Sequence, residues 1–229
     1  MLVANENNAV NLQILKHHLF IMISIKSVLF SLFIFCSISG TSQNIDIDLL
    51  RSIYNPESNF KNDFFKADAQ SVTVVNIAAP LTLLTIGLIN HDKKLQKNAA
   101  YMVGGYVLST IVTHGVKRIV QRERPFKQYP DIVSRDEGGG YSFPSGHTSA
   151  AFNTATALSL LYPKWYVIAP SFLWAGSVGY ARMYQGVHYP SDVLVGAVIG
   201  AGSAWLAYKA QGWMDKKATH KKTAVAVLF

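Results

Sequence analysis

The 229-residue chain is poor in cysteine and in charge. Its single cysteine, Cys36, excludes both an intramolecular disulfide framework and a zinc site built from cysteines. Only 15% of the residues are charged, against about 25% in ordinary soluble domains. No internal repeat of solenoid length is present. Because half of the residues are hydrophobic and 12% are aromatic, a disordered or fibrous chain is also excluded, and the composition favours a membrane protein.

The small amount of charge is predominantly positive, with 21 Lys and Arg against 13 Asp and Glu and a net charge of +8. Such a balance is compatible with nucleic acid, anionic lipid, phosphate chemistry or the positive-inside rule. Nothing beyond net charge supports a nucleic-acid partner, so we expect none. The placement of the charges has to decide among the others.

The N-terminus has the pattern of a targeting segment. Lys26 precedes an apolar run over residues 27–38, and small residues follow at 40–42. This predicts a signal peptide, residues 1–42, cleaved near Ser42–Gln43. An uncleaved signal anchor is the alternative, because residues 19–38 approach one bilayer span. Met22 would be a more ordinary start than Met1, which makes residues 1–21 a possible extension.

Five apolar stretches follow, and they predict an all-α fold, a membrane helical bundle with about five transmembrane helices. The third stretch has only 14 residues, so it is either a span extended by residues 144–148 or the core helix of a soluble bundle. Pro80 and Pro170 fall inside stretches, where neighbouring helices can satisfy the freed carbonyls. Gly196 and Gly200 predict a close helix contact. The stretches are residues 72–90, 99–116, 149–162, 165–181 and 193–208.

The helical domain, residues 71–208, has a polar segment before it and a basic tail after it. In the segment 43–70 a stripe of apolar residues predicts a short amphipathic helix that lies at the surface and has no chemistry. Residues 209–229 are basic and are expected to form a cytoplasmic tail. The members of the stripe are Leu49, Leu50, Ile53 and Tyr54.

Positive residues concentrate in every second segment that connects or follows the apolar stretches. These segments are residues 91–97, Lys164 and the tail. If the signal is exported, simple alternation places all three on the cytoplasmic side, as the positive-inside rule expects. Residues 117–148 and 182–192 then share the outer side. The pattern predicts a multi-pass protein of the cytoplasmic membrane with these two loops facing the periplasm or exterior.

The two outer loops contain three short motifs. Each alone is weak, because a basic cluster after a span is often an anchor and Ser-Gly-His is often a helix cap. Together they fix ten positions in order, which chance produces with a probability on the order of 10⁻⁶ once the freedom of placement along the chain is allowed for. The motifs are Lys117-x6-Arg124-Pro125, Pro144-Ser145-Gly146-His147 and Arg182-x5-His188-x3-Asp192.

With these motifs the sequence resembles the type 2 phosphatidic acid phosphatase superfamily, which also contains bacterial class A acid phosphatases and vanadium haloperoxidases. The motifs span residues 117–192, and the surrounding apolar helices resemble the membrane-bound branch. The third motif of this family usually begins Ser-Arg, whereas here Ala181 precedes Arg182. The hydroxyl hydrogen bond to the phosphate site is therefore absent or supplied elsewhere.

The residue types suit phosphoryl transfer without a metal or another cofactor. The motifs contain no acidic cluster suited to magnesium, so we expect fixed cations to neutralise the phosphate oxygens. Lys117, Arg124 and Arg182 fit this role. Ser145 and the backbone N–H of Gly146 lie just before a helix expected to begin near Thr148, where the helix dipole favours an anion.

Two histidines divide the remaining chemistry. His188 would attack phosphorus and form a phosphohistidine, while Asp192 would bind the other ring nitrogen and fix its tautomer. His147 would protonate the leaving oxygen and then activate water. Asp192 is expected at the opening of the fifth span, where a helix cap is its alternative or additional role. The family resemblance implies the same assignment.

The remaining candidates near the motifs receive other interpretations. Arg118 and Arg122 are off the motif and are assigned to lipid headgroups or a second phosphate. Residues 138–140, three glycines, are interpreted as a flexible link that lets 126–143 act as a lid. His114 is expected to face a neighbouring helix.

The leading hypothesis is a membrane phosphatase that acts on a phosphorylated membrane lipid in the bilayer. The candidate substrates are phosphatidic acid, phosphatidylglycerol phosphate, undecaprenyl pyrophosphate and lipid A phosphates, which share the reacting group. A soluble exported acid phosphatase is the alternative. A vanadate-dependent haloperoxidase and a non-enzymatic membrane protein are weaker ones.

Overall fold

The computed structural model describes the backbone of residues 42–54, 59–136 and 138–226 and the side chains of 45–54, 60–136 and 138–215. The predicted signal segment therefore lies outside the described residues, apart from Ser42. The chain divides into two units, Met1–Ile45 and Asp46–Phe229, and the side-chain contacts described below belong to the second.

The described chain consists of helices joined by loops and turns, without a strand in those ranges, which confirms the all-α prediction. Five long helices coincide with the five predicted spans. The short α1 precedes them, and the single turn α4 lies in the loop after the second. The helices are α1 Ser42–Ile53, α2 Asn59–Ile89, α3 Lys93–Val120, α4 Pro125–Gln128, α5 Gly146–Leu161, α6 Trp165–Tyr184 and α7 Pro190–Ala226.

Two of the long helices, over Phe60–Ile89 and Pro190–Asp215, are long and apolar enough to cross a membrane by themselves. The third predicted span corresponds to α5, whose 16 residues extend for only about 24 Å. This helix begins at Gly146 rather than near Thr148, because Ser145 caps it: the Ser145 side chain accepts a hydrogen bond from the backbone N–H of Thr148.

The distribution of side chains is that of a membrane bundle. Large apolar residues such as Ile77, Leu81 and Leu194 point outward and are more than half exposed. Small polar residues are buried between helices instead: the Ser109 and Ser149 hydroxyls lie 2.6 Å apart. Hydrogen bonds between small polar groups are a common means of joining helices where lipid surrounds the bundle.

Helix α5 lies against α7 at very short range, as the glycine spacing predicted. A Cβ atom on Gly196 would lie 2.6 Å from the carbonyl oxygen of Ser145, and one on Gly200 would lie 2.1 Å from that of Ser149. No side chain fits there. The two glycines therefore bring the start of α5 directly against the start of α7.

The boundaries expected from composition do not coincide with breaks in the chain. Polar residues 59–70 form the first turns of α2, so no break occurs at 70/71, and α7 continues from the apolar span through 208/209. Helix propensity continues through both polarity changes, because residues such as lysine, alanine and glutamine are good helix formers.

Helix α1 packs on the bundle through buried apolar residues. Ile47 and Leu50 are buried and pack with Ile132 and Tyr189, whereas Leu49, part of the predicted stripe, is 49% exposed. The buried face is therefore rotated from the predicted one. It contains Ile47 and Leu50, which share a helix face because they are three residues apart. The docked helix reaches the loop that carries the third motif.

The close contact between α5 and α7 can be tested with Gly200→Ala. The added methyl group overlaps a backbone carbonyl that cannot move without shifting α5, so we expect a loss of about 1–3 kcal/mol of stability. Thermal unfolding in detergent measures it. The matched control is Gly202→Ala in the same helix, where an added Cβ meets no atom within 4 Å. Equal stability of the two variants would contradict the described packing.

Candidate active site

The three motifs meet at one end of the bundle. The backbone N–H of Ser145 donates to the carbonyl oxygen of Asp192 at 2.9 Å, which joins the second motif to the third. Nη1 of Arg124 donates to the carbonyl oxygen of Val187 at 2.9 Å, which joins the first to the third. The structure therefore brings residues separated by up to 75 positions into a single site.

Arg124 is buried and is held by the main chain. Its Nε donates to the Gly140 carbonyl at 3.1 Å and its Nη2 to the Gly139 carbonyl at 2.7 Å. The glycine segment was predicted as a flexible link, but in the structure its carbonyls orient a cation. The remaining nitrogen, Nη1, lies 3.3 Å from Nε2 of His188.

His188 lies between Arg124 and Asp192. Its Nδ1 is 3.2 Å from Oδ2 of Asp192, and the same oxygen accepts the backbone N–H of Tyr189 at 3.0 Å. This second bond caps α7, so the same carboxylate contacts the imidazole and caps the helix. Because the carboxylate accepts from Nδ1 and the guanidinium can only donate to Nε2, the hydrogen-bond network assigns the proton to Nδ1.

Burial keeps the His188 ring neutral. The side chain is 2% exposed, and this burial lowers its pKa to about 3, although the neighbouring Asp192 carboxylate favours the charged form. His188 lies in the loop between α6 and α7. Across the ordinary pH range its Nε2 therefore carries a lone pair, which a nucleophile requires.

Lys117 on α3 and His147 on α5 lie beside the pair formed by His188 and Asp192. Nζ of Lys117 donates to the carbonyl oxygens of Tyr141 at 2.7 Å and Ser142 at 3.2 Å. Lys117 lies beyond the predicted second span, and burial together with Arg124 lowers its pKa to about 8. His147 precedes the third span, and burial together with Arg182 lowers its pKa to about 4.

Arg182, at the end of α6, is almost completely buried. Its Nη1 pairs with the Asp136 carboxylate and donates to Oε1 of Gln185 at 2.8 Å. Among the buried polar atoms of the described chain, Nε of Arg182 and Oγ of Ser142 have no hydrogen-bond partner. Buried donors of this kind match the oxygens of an anion.

The start of α5 borders a cavity of about 240 Å³. A Cβ atom on Gly146 would meet no atom within 4 Å, so the backbone is open to a ligand at this position. His114 hydrogen-bonds to the Thr110 carbonyl of its own helix and also borders this space. The cavity reaches from the site between the flanking helices, and its lining includes Thr73, Asn76, Tyr106, Gly146 and His147.

Sequence reasoning missed two carboxylates, Asp46 and Asp136, and assigned Arg122 wrongly. Arg122 was expected to touch lipid headgroups or a second phosphate, but its guanidinium bonds to Asp46 and Asp192 inside the protein. For Asp46, 76 positions away from Arg122, the sequence offered no local signal.

Comparisons with known proteins agree with this geometry. The PAP2 superfamily profile matches residues 98–215, which include all three motifs. The chain is 40% identical over 86 residues to the lipid A 4'-phosphatase of Bacteroides thetaiotaomicron, covering 38% of each protein. It is 31% identical over 117 residues to the undecaprenyl-diphosphatase of Sulfolobus acidocaldarius, covering 51% of this chain and 55% of that one. The chain thus spans about half the length, or less, of these curated relatives.

Two solved structures share the fold. LpxE of Aquifex aeolicus has a TM-score of 0.64 and 30% identity, covering 72% of this chain and 95% of that one. The transmembrane PAP2 type phosphatidylglycerolphosphate phosphatase of Bacillus subtilis has a TM-score of 0.66 and 22% identity, covering 82% and 94%. These likenesses confirm the predicted membrane helical bundle. Because the family profile covers more than half of the sequence, the chain belongs to the PAP2 superfamily.

Proposed function

We propose that this protein is a metal-independent phosphatase that hydrolyses a lipid phosphate or pyrophosphate through a phosphohistidine intermediate on the outer side of the cytoplasmic membrane. The observation that carries the proposal is the neutral, oriented ring of His188, with Nδ1 at 3.2 Å from Asp192 and Nε2 at 3.3 Å from Arg124. A nucleophile oriented by a carboxylate, with a cation at its reacting atom, suits attack on an anionic phosphoryl group.

The reaction proceeds in two displacements. Nε2 of His188 forms a bond to phosphorus while the bond from phosphorus to the leaving oxygen breaks, and His147 donates a proton to that oxygen. Water then attacks phosphorus, gives its proton to His147, and the phosphorus–nitrogen bond breaks. Inorganic phosphate and the dephosphorylated lipid are the products. During the first step the hydrogen bond donated by Nη1 of Arg124 changes its acceptor, from Nε2 of His188 to a phosphoryl oxygen.

Fixed cations provide the charge stabilisation in this proposal. Lys117, Arg124 and Arg182 surround His147 closely enough to affect its ionisation. The nearby carboxylates are already engaged, Asp136 by Arg182 and Asp192 by Arg122 and His188. Positively charged donors that are preorganised in a buried site stabilise phosphoryl transfer without further reorganisation.

The surroundings of the site favour a membrane lipid as substrate. The outward faces of the long helices are apolar, which counts against the soluble exported phosphatase considered from the sequence. The relatives named above are phosphatases of lipid A and of undecaprenyl diphosphate. A lipid-linked phosphate ester or diphosphate can lie with its chains in the bilayer and its headgroup at the helix ends.

The outer location is proposed from the charge pattern. Lys93, Lys94, Lys97 and Lys209 surround one cavity, where α3 begins, and the candidate site lies where α3 ends. Because clustered lysines mark the cytoplasmic side, the candidate site is assigned to the other face.

The first prediction concerns activity. Purified protein in detergent should release phosphate from at least one of lipid A, undecaprenyl diphosphate, phosphatidic acid and phosphatidylglycerol phosphate. Release should persist in EDTA. It should be inhibited by vanadate, because vanadate can adopt the five-coordinate geometry that phosphorus has during phosphoryl transfer. His188→Asn should lower the rate by about 10³-fold or more, because the nucleophile is gone.

The matched control is His91→Asn, which replaces a histidine in the turn between α2 and α3, where asparagine tolerates the left-handed backbone. It should retain the original rate. A requirement for added magnesium would contradict the metal-independent mechanism. Faster hydrolysis of a water-soluble ester by protein recovered without detergent would favour the soluble phosphatase instead.

The second prediction concerns pH. A bound phosphate dianion should raise the pKa of His147 from about 4, because it offsets the neighbouring cations. Between the original and the raised pKa, binding of the dianion is coupled to protonation of His147. This coupling contributes at most about tenfold in affinity per unit fall in pH, and it opposes the loss of affinity that follows as the dianion itself is protonated. Calorimetric titration of phosphate between pH 5 and 7 measures the slope.

His147→Gln supplies the comparison for this slope. The ionisation of phosphate itself affects both proteins, whereas the contribution of the imidazole is absent from the variant. We therefore expect phosphate affinity to fall more steeply in His147→Gln than in the unaltered protein as pH is lowered. Identical slopes would show that His147 does not exchange a proton with the bound anion.

The third prediction concerns sidedness. With Cys36→Ser as background, which leaves no cysteine, a cysteine can be introduced in the loop after α4 by Pro130→Cys or near the start of α3 by Lys94→Cys. In intact spheroplasts a membrane-impermeant maleimide should label the first and spare the second. Both should react after lysis. The reverse pattern would place the site in the cytoplasm.

A further inference from the structure

Asp192 has two carboxylate oxygens, and only one of them contacts His188. Oδ2 is the partner of the imidazole and of the Tyr189 N–H, whereas Oδ1 accepts a hydrogen bond from Nη1 of Arg122 at 3.0 Å. Asp192 is fully buried. Rotation of its carboxylate, which would misalign the imidazole, is therefore opposed by Arg122.

We propose that Arg122 and Asp46 are positioning residues that hold Asp192, and through it His188, in the reactive orientation. This inference rests on the proposed function, in which His188 is the nucleophile. Neither residue touches the reacting atoms. Asp46 belongs to α1, which lies outside residues 98–215, the part that matches the family.

Arg122 is itself held on several sides. Its Nη1 also donates to the Ser191 hydroxyl at 2.7 Å, and its Nη2 donates to Oδ2 of Asp46 at 2.7 Å. The guanidinium carbon lies 3.7 Å from the centre of the Tyr189 ring, in a cation–π contact. Only a planar guanidinium can make these contacts together, because a lysine ammonium is a single point of charge.

Asp46 completes the network from α1. It is 6% exposed, and its Oδ1 accepts the backbone N–H of Ser191 at 2.9 Å, while Oδ2 accepts from the Ser191 hydroxyl as well as from Arg122. Asp46 is adjacent to the buried Ile47, which anchors α1. A buried carboxylate without such partners would be strongly unfavourable.

The network alternates in charge, from Asp46 through Arg122 to Asp192 and then to the imidazole. When His188 becomes positively charged on phosphorylation, the ionised Asp192 carboxylate stabilises it. Arg122 keeps that carboxylate ionised and aligned, and Asp46 keeps Arg122 from turning toward solvent. No bond to these two residues forms or breaks, so their effect should be on the chemical step and not on phosphate capture.

The test uses Arg122→Lys and Asp46→Asn, which preserve size and, at Arg122, charge. We expect kcat to fall by about 10- to 100-fold, as for other residues that orient a functional histidine, with KM changed by less than about twofold. Affinity for vanadate, which bonds to the nucleophile, should weaken in parallel. Affinity for inorganic phosphate should stay within about twofold, because Lys117, Arg124 and Arg182 are unchanged.

Two matched controls lie on α1, the helix that carries Asp46. Asp48→Asn alters an exposed carboxylate two residues from Asp46, and Arg51→Lys alters an exposed arginine of the same helix. Both should retain the original kcat. The double variant Arg122→Lys/Asp46→Asn should lose no more than the worse single variant, since the two residues act in one network.

Three results would overturn the inference: unchanged kcat in both single variants, additive losses in the double variant, or equal weakening of phosphate and vanadate binding with a lowered unfolding temperature. The last would assign the network to stability alone. Vanadate and phosphate binding need no turnover, so these comparisons remain decisive even if the unaltered protein hydrolyses none of the lipids, an outcome that would defeat the proposed function separately.

Discussion

The contact between the Asp192 carboxylate and Nδ1 of His188 is the interaction on which the site depends. A buried imidazole can present a lone pair on either nitrogen, and this contact selects Nε2. Burial then keeps the ring neutral. The carboxylate also caps α7, so the start of a long helix and the tautomer of the histidine are fixed by the same side chain.

The helix bundle positions the other half of the site by close packing. Gly196 and Gly200 allow the backbone of α5 to lie directly on α7, and the N-terminus of α5 carries Ser145, Gly146 and His147. A buried serine network joins α3 to α5 on the opposite side. The position of His147 relative to His188 is thus set by main-chain contacts between helices.

The sequence was sufficient for those parts of the fold and site that depend on local pattern. Apolar runs longer than a turn predicted the five long helices, and the glycine spacing predicted the contact at Gly200, because both are properties of neighbouring positions. The three motifs identified the residues that meet, since the chemistry of phosphate restricts their types. Their catalytic roles stay predictions.

Other features could not be predicted, because they depend on partners far along the chain. Arg122 resembled a surface cation until the fold placed Asp46 beside it. The buried face of α1 was misjudged because the surface that receives it, around Ile132 and Tyr189, is formed by distant residues. The polar ends of α2 and α7 look like linkers in composition, but they continue as helix.

Arg124 is anchored by the carbonyl oxygens of Gly139, Gly140 and Val187, none of which depends on a side chain. Side chains elsewhere in that loop can therefore be exchanged during evolution while the guanidinium keeps its place. The surroundings of the proposed phosphate site can thus diverge between related proteins without displacing its cation.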